Sequence, residues 1–274
     1  MNAVIDIGTN TIRAVVYDED MTELFNQGVV SKILDYTADG ILTVAGVVWL
    51  SNVVGTLSVM AEQFAVKPKA FATSAFRELK NADDVADYIK EYTGIEIIIL
   101  SGDDEAMCDY LSLKKYSDKG IGIDLGGGSC QIISFDGDSY CGKSHPVGVK
   151  RIKNKFVSST LPSSEEFHSI YEYINETVKL DGKADTLYIF GGSARALAKL
   201  ADKDEISVDD MDDIMSLAFR DDAQDYIAEK VNKRADTVLV GAVILRAIAD
   251  MVGADVLKVV NCSVREGFVI KYCG

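Results

Sequence analysis

Two stretches of the chain each carry an aspartate that is followed closely by a turn of small side chains. Their sequences are VIDIGTNTIRAVVYD at 4–18 and GIDLGGGSCQIISFD at 122–136, and a third glycine turn follows the apolar run TLYIF. Turns of this kind present unobstructed backbone N–H groups, with hydroxyls beside them, which can hold phosphate oxygens. The pattern therefore predicts three phosphate-binding turns, formed by Gly8, Thr9, Asn10, Thr11, Gly126, Gly127, Gly128, Ser129, Gly191, Gly192 and Ser193.

The two aspartates, Asp6 and Asp124, stand at equal spacing before their turns, at the predicted ends of strands. We expect them to face each other across a cleft between two domains. Carboxylates in such a place suit Mg²⁺, which usually binds through one or two carboxylates, several waters and substrate phosphates. Ordinary hairpin turns with capping aspartates are the alternative interpretation.

The second stretch repeats the first at an offset of 118 residues, close to half of the 274-residue chain. The likeness extends through both predicted strands and the turn that joins them. Such a repeat predicts duplicated domains, 1–118 and 119–274. Chance similarity between two β-hairpins is the alternative.

Strand-like and helix-like runs alternate along the whole chain. This alternation predicts an α/β fold with mixed β-sheets. The longest uncharged run, AGVVWLSNVVGTLSVMA at 45–61, is apolar at helical spacing and polar on another face. It predicts an amphipathic helix packed against a sheet, and it is too short to span a bilayer comfortably.

The composition is that of an ordinary soluble protein with an acidic surface. The formal net charge is −15, which makes the chain a poor general binder of DNA or of an anionic membrane. The N-terminus lacks the pattern of a secretory signal, and the five cysteines form no CxxC pair. We therefore expect reduced thiols and a cytoplasmic location.

Eight motifs in order resemble those of the exopolyphosphatase/guanosine pentaphosphate phosphohydrolase family. They are DIGTNTIR, FATSAFRELKN, ILSGDDEA, IDLGGGSCQI, HPVGVKRI, FGGSARALA, KRADTVLVGAVIL and SVREGF. The resemblance implies two ribonuclease-H-like domains of the actin-like ATPase type, with mixed sheets around an interdomain cleft. The chain is similar to the short, two-domain members of the family.

The resemblance also implies the roles of several side chains. Glu105 matches the family's general base, and Arg77 matches an arginine at the phosphate site. A carboxylate can orient a water and accept its proton, whereas a guanidinium binds phosphate through two parallel hydrogen bonds. Ser74 completes the predicted phosphate-binding set, with Arg13 as a weaker candidate. Arg13 is included because it follows the first glycine turn, but its side chain on an alternating strand could equally face solvent. From position alone, Glu105 could equally be an acid that favours the start of a helix.

Two positions depart from the family pattern: Gln131 and, more mildly, Asp104, which stands where a glutamate is usual. A glutamate that helps to hold the metal usually follows the second glycine turn by two residues, and this chain has Gln131 there. An amide oxygen can still coordinate a metal ion but carries no charge, so we expect weaker Mg²⁺ binding at this site. The basic run at 150–155 is open to two interpretations, a solvated helix face or a track for a polyanion.

The leading hypothesis is a Mg²⁺-dependent phosphohydrolase that removes the terminal phosphate of polyphosphate or of guanosine pentaphosphate. The catalytic residues would be Glu105, Arg77 and Asp124, and the metal ligands Asp124, Gln131 and Asp6. A non-catalytic sensor of polyphosphate or of a phosphorylated guanine nucleotide is the second hypothesis, and a small-molecule kinase is the third. The sequence does not decide the oligomeric state, and a homodimer is one of the alternatives.

Overall fold

A computed structural model describes residues 1–180 and 182–273, and the chain divides into two compact units. Unit 1 begins at Met1 and runs to Leu111, and unit 2 runs from Ser112 to Ser263. The C-terminal residues from Val264 onward belong to unit 1. The division therefore differs from the predicted ranges, 1–118 and 119–274, because the last helix packs with the first unit.

Unit 1 is built on a five-stranded mixed sheet. Its elements in chain order are β1 (Asn2–Ile7), β2 (Thr11–Tyr17), β3 (Glu23–Val30), β4 (Thr37–Ala38), β5 (Ile41–Leu42), α1 (Val44–Glu62), β6 (Lys69–Ala72), α2 (Ser74–Arg77), α3 (Ala82–Thr93), β7 (Ile97–Ile99) and α4 (Gly102–Leu113). The strand order is β3-β2-β1-β6-β7, in which the first three strands are antiparallel and the last three are parallel.

Unit 2 repeats this plan and adds an antiparallel strand at the far edge. Its elements are β8 (Lys119–Leu125), β9 (Cys130–Asp136), β10 (Ser139–His145), α5 (Val149–Phe156), α6 (Ser164–Thr177), β11 (Thr186–Phe190), α7 (Gly191–Ala201), β12 (Glu205–Ser207), α8 (Val208–Ser216), α9 (Ala223–Val231), α10 (Val238–Val252) and β13 (Val256–Val259). The strand order is β10-β9-β8-β11-β13-β12. The final helix, α11 (Val264–Tyr272), returns to unit 1.

The hairpins β1–β2 and β8–β9 have the same register. Asp6 stands opposite Arg13, and Asp124 stands opposite Gln131. Each turn closes with one backbone bond, from Gly8 N to Thr11 O at 3.1 Å and from Gly126 N to Ser129 O at 2.9 Å. The predicted likeness of the two stretches is therefore confirmed as a repeated strand–turn–strand structure.

Helix α1 is the element that carries the long uncharged run. Among the described residues it is the one helix long and apolar enough to cross a membrane by length and composition. Its side chains Leu50, Val54 and Leu57 are buried in the core of unit 1, together with Ile5 and Ile7 of the sheet. This packing confirms the predicted amphipathic helix against a sheet, because one face is covered and the other is exposed.

Candidate phosphate-binding and catalytic site

In unit 1, the first glycine turn lies beside the start of α2. Strands β1 and β6 are parallel neighbours, with Ile7 opposite Ala72, so the segments that follow them leave the sheet at the same edge. The Thr9 hydroxyl consequently lies 3.2 Å from the hydroxyl of Ser74, and both residues are buried. The structure thus brings together two residues that the sequence places 65 positions apart.

Arg77 and Glu105 also meet in unit 1. Arg77 ends α2, which follows β6, and Glu105 lies in the first turn of α4, which follows the parallel neighbour β7. The Arg77 Nη1 atom donates to Glu105 Oε2 at 2.7 Å and to the Leu100 carbonyl at 2.8 Å. The Glu105 residue is only 6% exposed. The predicted base and the predicted phosphate-binding arginine therefore form one ion pair, in which Glu105 is buried and Arg77 is partly exposed.

The guanidinium of Arg77 keeps one edge available. Its side chain is 21% exposed, and within residues 1–180 and 182–273 its Nε and Nη2 atoms have no hydrogen-bond partner. An Nε–Nη2 edge is one of the two edges with which arginine binds phosphate through parallel hydrogen bonds. The arginine can therefore hold Glu105 with one nitrogen and an anion with the others.

Asp6 has a partner that the sequence did not predict. Its Oδ2 atom accepts a hydrogen bond from Arg265 Nη1 at 2.9 Å, and both side chains are largely buried. Burial raises the pKa of Asp6 above its usual range, although Arg265 opposes that shift. The metal-ligand role of Asp6 stays a prediction, and the ion pair with Arg265 would compete with it.

Arg13 points away from the first glycine turn. It lies opposite Gly28 of β3, and a Cβ atom added to that glycine would lie 2.9 Å from Arg13 Nη2. Its Nη1 donates to Asn26 Oδ1, two residues farther along β3 from the turn. The Arg13 side chain therefore lies along β3, because Gly28, which has no side chain, leaves room for the guanidinium there.

In unit 2, the second glycine turn is held by the start of α5. The Gly126 carbonyl accepts from Val149 N at 2.9 Å, and the Gly127 carbonyl accepts from Lys150 N at 2.9 Å. A Cβ atom on Gly148 would lie 2.4 Å from backbone atoms of the turn, so this contact needs a glycine. The turn's carbonyls therefore face α5, and the described residues offer no acceptor to the N–H groups of Gly127 and Gly128.

Gln131 lies on the same side of its strand as the turn hydroxyl. Its Nε2 atom donates to Ser129 Oγ at 3.0 Å and to Ser144 Oγ at 2.9 Å, and the residue is 1% exposed. Because Asp124 stands directly opposite on β8, the two side chains share one face of the sheet. The site in unit 2 thus has one carboxylate beside one amide.

The third turn also lies beside Asp124. Strand β11 is the parallel neighbour of β8, with Phe190 opposite Asp124. Gly191 has a φ of +81°, and a Cβ atom there would lie 2.2 Å from Asp124 Oδ1. Glycine is needed at this position both for the left-handed backbone and for the close approach of the carboxylate.

Arg234 is a candidate site residue that the sequence did not single out. A Cβ atom on Gly192 would lie 2.0 Å from Arg234 Nη2, and Arg234 Nη1 lies 3.4 Å from the Ser193 hydroxyl. The arginine therefore covers the third glycine turn and brings positive charge to it. The available signal in the sequence is that Arg234 lies within KRADTVLVGAVIL, one of the motifs that carry the family resemblance.

The basic side chains at 150–155 do not form one continuous basic surface, because they have different partners. Arg151 Nε donates to the Gly128 carbonyl at 2.9 Å, Lys153 pairs with Asp236, and the Lys155 ammonium lies 3.6 Å from the centre of the Tyr173 ring. Of these, Arg151 supports the glycine turn. The others are used in contacts within unit 2.

The described residues offer few candidate ligands for a metal ion. Across residues 1–180 and 182–273, no group of three or more His, Cys, Asp or Glu side chains could hold a metal ion. Asp124 and Gln131 nevertheless fit Mg²⁺, because that ion accepts one carboxylate when waters and substrate phosphates supply the remaining oxygens.

Comparisons with known proteins agree with the motifs and the fold. Exopolyphosphatase 1 of Mycobacterium leprae is 23% identical over 298 residues, which cover 98% of this chain and 88% of that protein. The crystal structure of an exopolyphosphatase from Cytophaga hutchinsonii matches with a TM-score of 0.84 at 19% identity, covering 98% of this chain and 96% of that one. The Aquifex aeolicus member of the Ppx/GppA family matches with a TM-score of 0.81 at 21% identity, covering 99% and 96%.

These structural matches confirm the predicted fold, two ribonuclease-H-like units of the actin-like ATPase type. A profile of the Ppx/GppA phosphatase family matches residues 36–273, which is most of the chain. The protein therefore belongs to the Ppx/GppA phosphatase family.

Proposed function

We propose that this protein is a Mg²⁺-dependent phosphohydrolase that releases the terminal phosphate of inorganic polyphosphate or of guanosine pentaphosphate. The observation that carries the proposal is the pair formed by Glu105 and Arg77, with 2.7 Å between Oε2 and Nη1. It joins a buried carboxylate to a guanidinium that keeps an edge for an anion. Relatives named exopolyphosphatase favour polyphosphate as the substrate class.

In the proposed reaction, a water attacks the terminal phosphorus and the bond from that phosphorus to the bridging oxygen breaks. Glu105 accepts the proton of the attacking water, and Arg77 binds oxygens of the phosphoryl group as charge develops on them. The N–H groups of the glycine turns hold further phosphate oxygens. Asp124 and Gln131 would hold Mg²⁺, which neutralises negative charge on the substrate.

The second candidate is a non-catalytic sensor of polyphosphate or of a phosphorylated guanine nucleotide. The observation that favours it is Gln131, whose amide stands where a metal-binding glutamate is usual. The two candidates differ in metal chemistry, because a protein that only binds its ligand needs no metal for turnover.

Phosphate release measured on a panel of substrates tests the proposal. The panel contains polyphosphates of several lengths, guanosine pentaphosphate and ATP, each with Mg²⁺ and with EDTA. We expect release from polyphosphate or guanosine pentaphosphate that stops when EDTA removes the metal. Binding of these ligands without any phosphate release would instead support the sensor.

The substitution Gln131→Glu is expected to lower the Mg²⁺ concentration needed for half-maximal activity. The hydroxyls of Ser129 and Ser144, which now accept from Gln131 Nε2, can each donate to a carboxylate oxygen instead. Glutamate has almost the same volume and adds a negative oxygen beside Asp124. A Mg²⁺ titration of phosphate release by wild type and variant measures the effect.

The control for this titration is Gln27→Glu, a glutamine-to-glutamate change on β3, in unit 1. It should leave the metal requirement unchanged. Superimposable Mg²⁺ curves for wild type and Gln131→Glu would contradict a metal-site role for Gln131.

The proposed function also bears on location and partners. We propose a cytoplasmic location, where polyphosphate and guanosine pentaphosphate would be available as substrates. We also propose that the protein has no DNA or membrane partner. The net charge of −15 favours this, since it disfavours general contact with other polyanions. A homodimer stays a prediction for solution measurements of molecular mass.

A further inference from the structure

The C-terminal helix α11 contacts α4 beside the proposed base. A Cβ atom on Gly267 would lie 1.7 Å from the Cys108 carbonyl oxygen, so the backbones of the two helices touch there. Only glycine permits so close an approach. Cys108 lies one turn of α4 beyond Asp104, the residue that precedes Glu105.

A second contact joins the same helices at Asp104. Its Oδ1 atom accepts from Lys271 Nζ at 2.6 Å and from the Tyr272 hydroxyl at 3.2 Å. Its Oδ2 atom lies 2.7 Å from the Ser101 hydroxyl, which in turn accepts from Asp104 N at 3.0 Å. The side chain of Asp104 is therefore held from both sides, by α11 and by the start of its own helix.

Asp104 and Lys271 both stay charged over a wide pH range. The hydrogen bond from Lys271 lowers the pKa of Asp104 to about 2. Although desolvation opposes it, the Asp104 carboxylate raises the pKa of Lys271 above its usual range. The pair therefore stays ionised at every pH at which activity would be measured.

The contacts of α11 with Asp104 and with Cys108 lie on either side of Glu105 in the sequence of α4. Asp104 and Cys108 are four residues apart on α4, and Gly267 and Lys271 are four residues apart on α11, so each pair lies on one helix face. Since Gly267 meets Cys108 and Lys271 meets Asp104, the helices run antiparallel here. The backbone of Glu105 is thus fixed between two points of contact with α11.

We infer that Lys271 is a positioning residue. It acts through Asp104 to hold the Glu105 carboxylate where it can accept the proton of the attacking water. The inference rests on the proposed function, in which Glu105 is the base. A displacement of about 1 Å in a reacting group can cost about 100-fold in rate, so the anchoring of this turn matters for catalysis.

The alternative is an ordinary ion pair near the surface. The side chains of Lys271 and Asp104 are 27% and 40% exposed, and exposed pairs contribute little to stability. Such a pair would affect the unfolding free energy slightly and would leave kcat unchanged. The two interpretations therefore differ in kcat and in the local order of α4.

The first experiment measures kcat and KM for phosphate release by Lys271→Met, Lys271→Arg and Lys90→Met. We expect Lys271→Met to lower kcat about tenfold or more at nearly constant KM. Lys271→Arg should recover most of the rate, because it keeps a cationic donor near Asp104. Lys90→Met is the matched control, since it breaks the exposed ion pair of Lys90 with Glu96 in the same unit and should leave kcat unchanged.

The second experiment repeats Lys271→Met in a Glu105→Gln background. If Lys271 acts through Glu105, the second substitution should add little to the loss of the first, since the group that it positions is gone. A full additional loss would overturn the inference. A normal kcat in Glu105→Gln would instead overturn the assignment of the base in the proposed function.

Amide hydrogen exchange supplies a measurement that does not depend on activity. We expect faster exchange over residues 102–108 in Lys271→Met than in wild type and Lys90→Met. Unchanged exchange in this turn would contradict the inference, even in a protein that releases no phosphate from any substrate. An increase in exchange with an unchanged kcat would also contradict it.

Discussion

Glu105→Gln is expected to lower kcat for phosphate release by about 10²–10⁴-fold, the usual cost of removing a positioned general base. The substitution changes little else. Its amide oxygen can still accept the hydrogen bond from Arg77 Nη1 that Glu105 Oε2 accepts at 2.7 Å. KM should therefore stay near the wild-type value, and steady-state kinetics with polyphosphate or guanosine pentaphosphate measure both quantities.

The matched control is Asp103→Asn, which removes another acid from the first turn of α4. Asp103 is exposed, whereas Glu105 is buried beside Arg77. If Glu105 were only an acid that stabilises the start of the helix, the two variants would behave alike. A wild-type kcat in Glu105→Gln would show that another group accepts the proton of the water.

Gly267→Ala is expected to destabilise the protein by about 3 kcal/mol or more, at the upper end of the cost of overpacking. The added methyl carbon would lie 1.7 Å from the Cys108 carbonyl oxygen. That atom belongs to the backbone of a helix and has no rotamer to change, so α11 and α4 must separate. A shift of the urea unfolding midpoint measures the loss.

Gly55→Ala is the control, because Gly55 also lies within a helix, α1. A Cβ atom there would lie 3.5 Å from Thr93 Cγ2, an ordinary contact. Alanine is a better helix former than glycine by about 1 kcal/mol, so this variant should be slightly more stable than wild type. Equal stability of Gly267→Ala and wild type would contradict the close contact between Gly267 and the Cys108 carbonyl.

The sequence alone determined the repeated strand–turn–strand units, the α/β class and the amphipathic α1. These features depend on neighbours along the chain. An aspartate, a glycine turn and alternating apolar residues are local signals, and they recur at 4–18 and 122–136. The strand β10 was not predicted, because SYCGKSH has no clear alternation of apolar and polar residues.

The family resemblance, not position or spacing, singled out Glu105 and Arg77. DDE at 103–105 is equally typical of the acidic start of a helix. What distinguishes Glu105 is that β6 and β7 are adjacent parallel strands, so the residues that follow them meet at one sheet edge. Strand order is a property of the tertiary structure, and periodicity in the sequence does not report it.

Only the tertiary structure decided which groups Asp6, Gly192 and Asp104 contact. Arg265 is 259 residues from Asp6, and Lys271 is 167 residues from Asp104. Arg234 covers Gly192 from a segment that precedes α10. Such contacts arise when segments distant in the chain pack together. For the buried Asp6, Arg265 also supplies the charged partner that a carboxylate needs there, because an unpaired buried charge is costly.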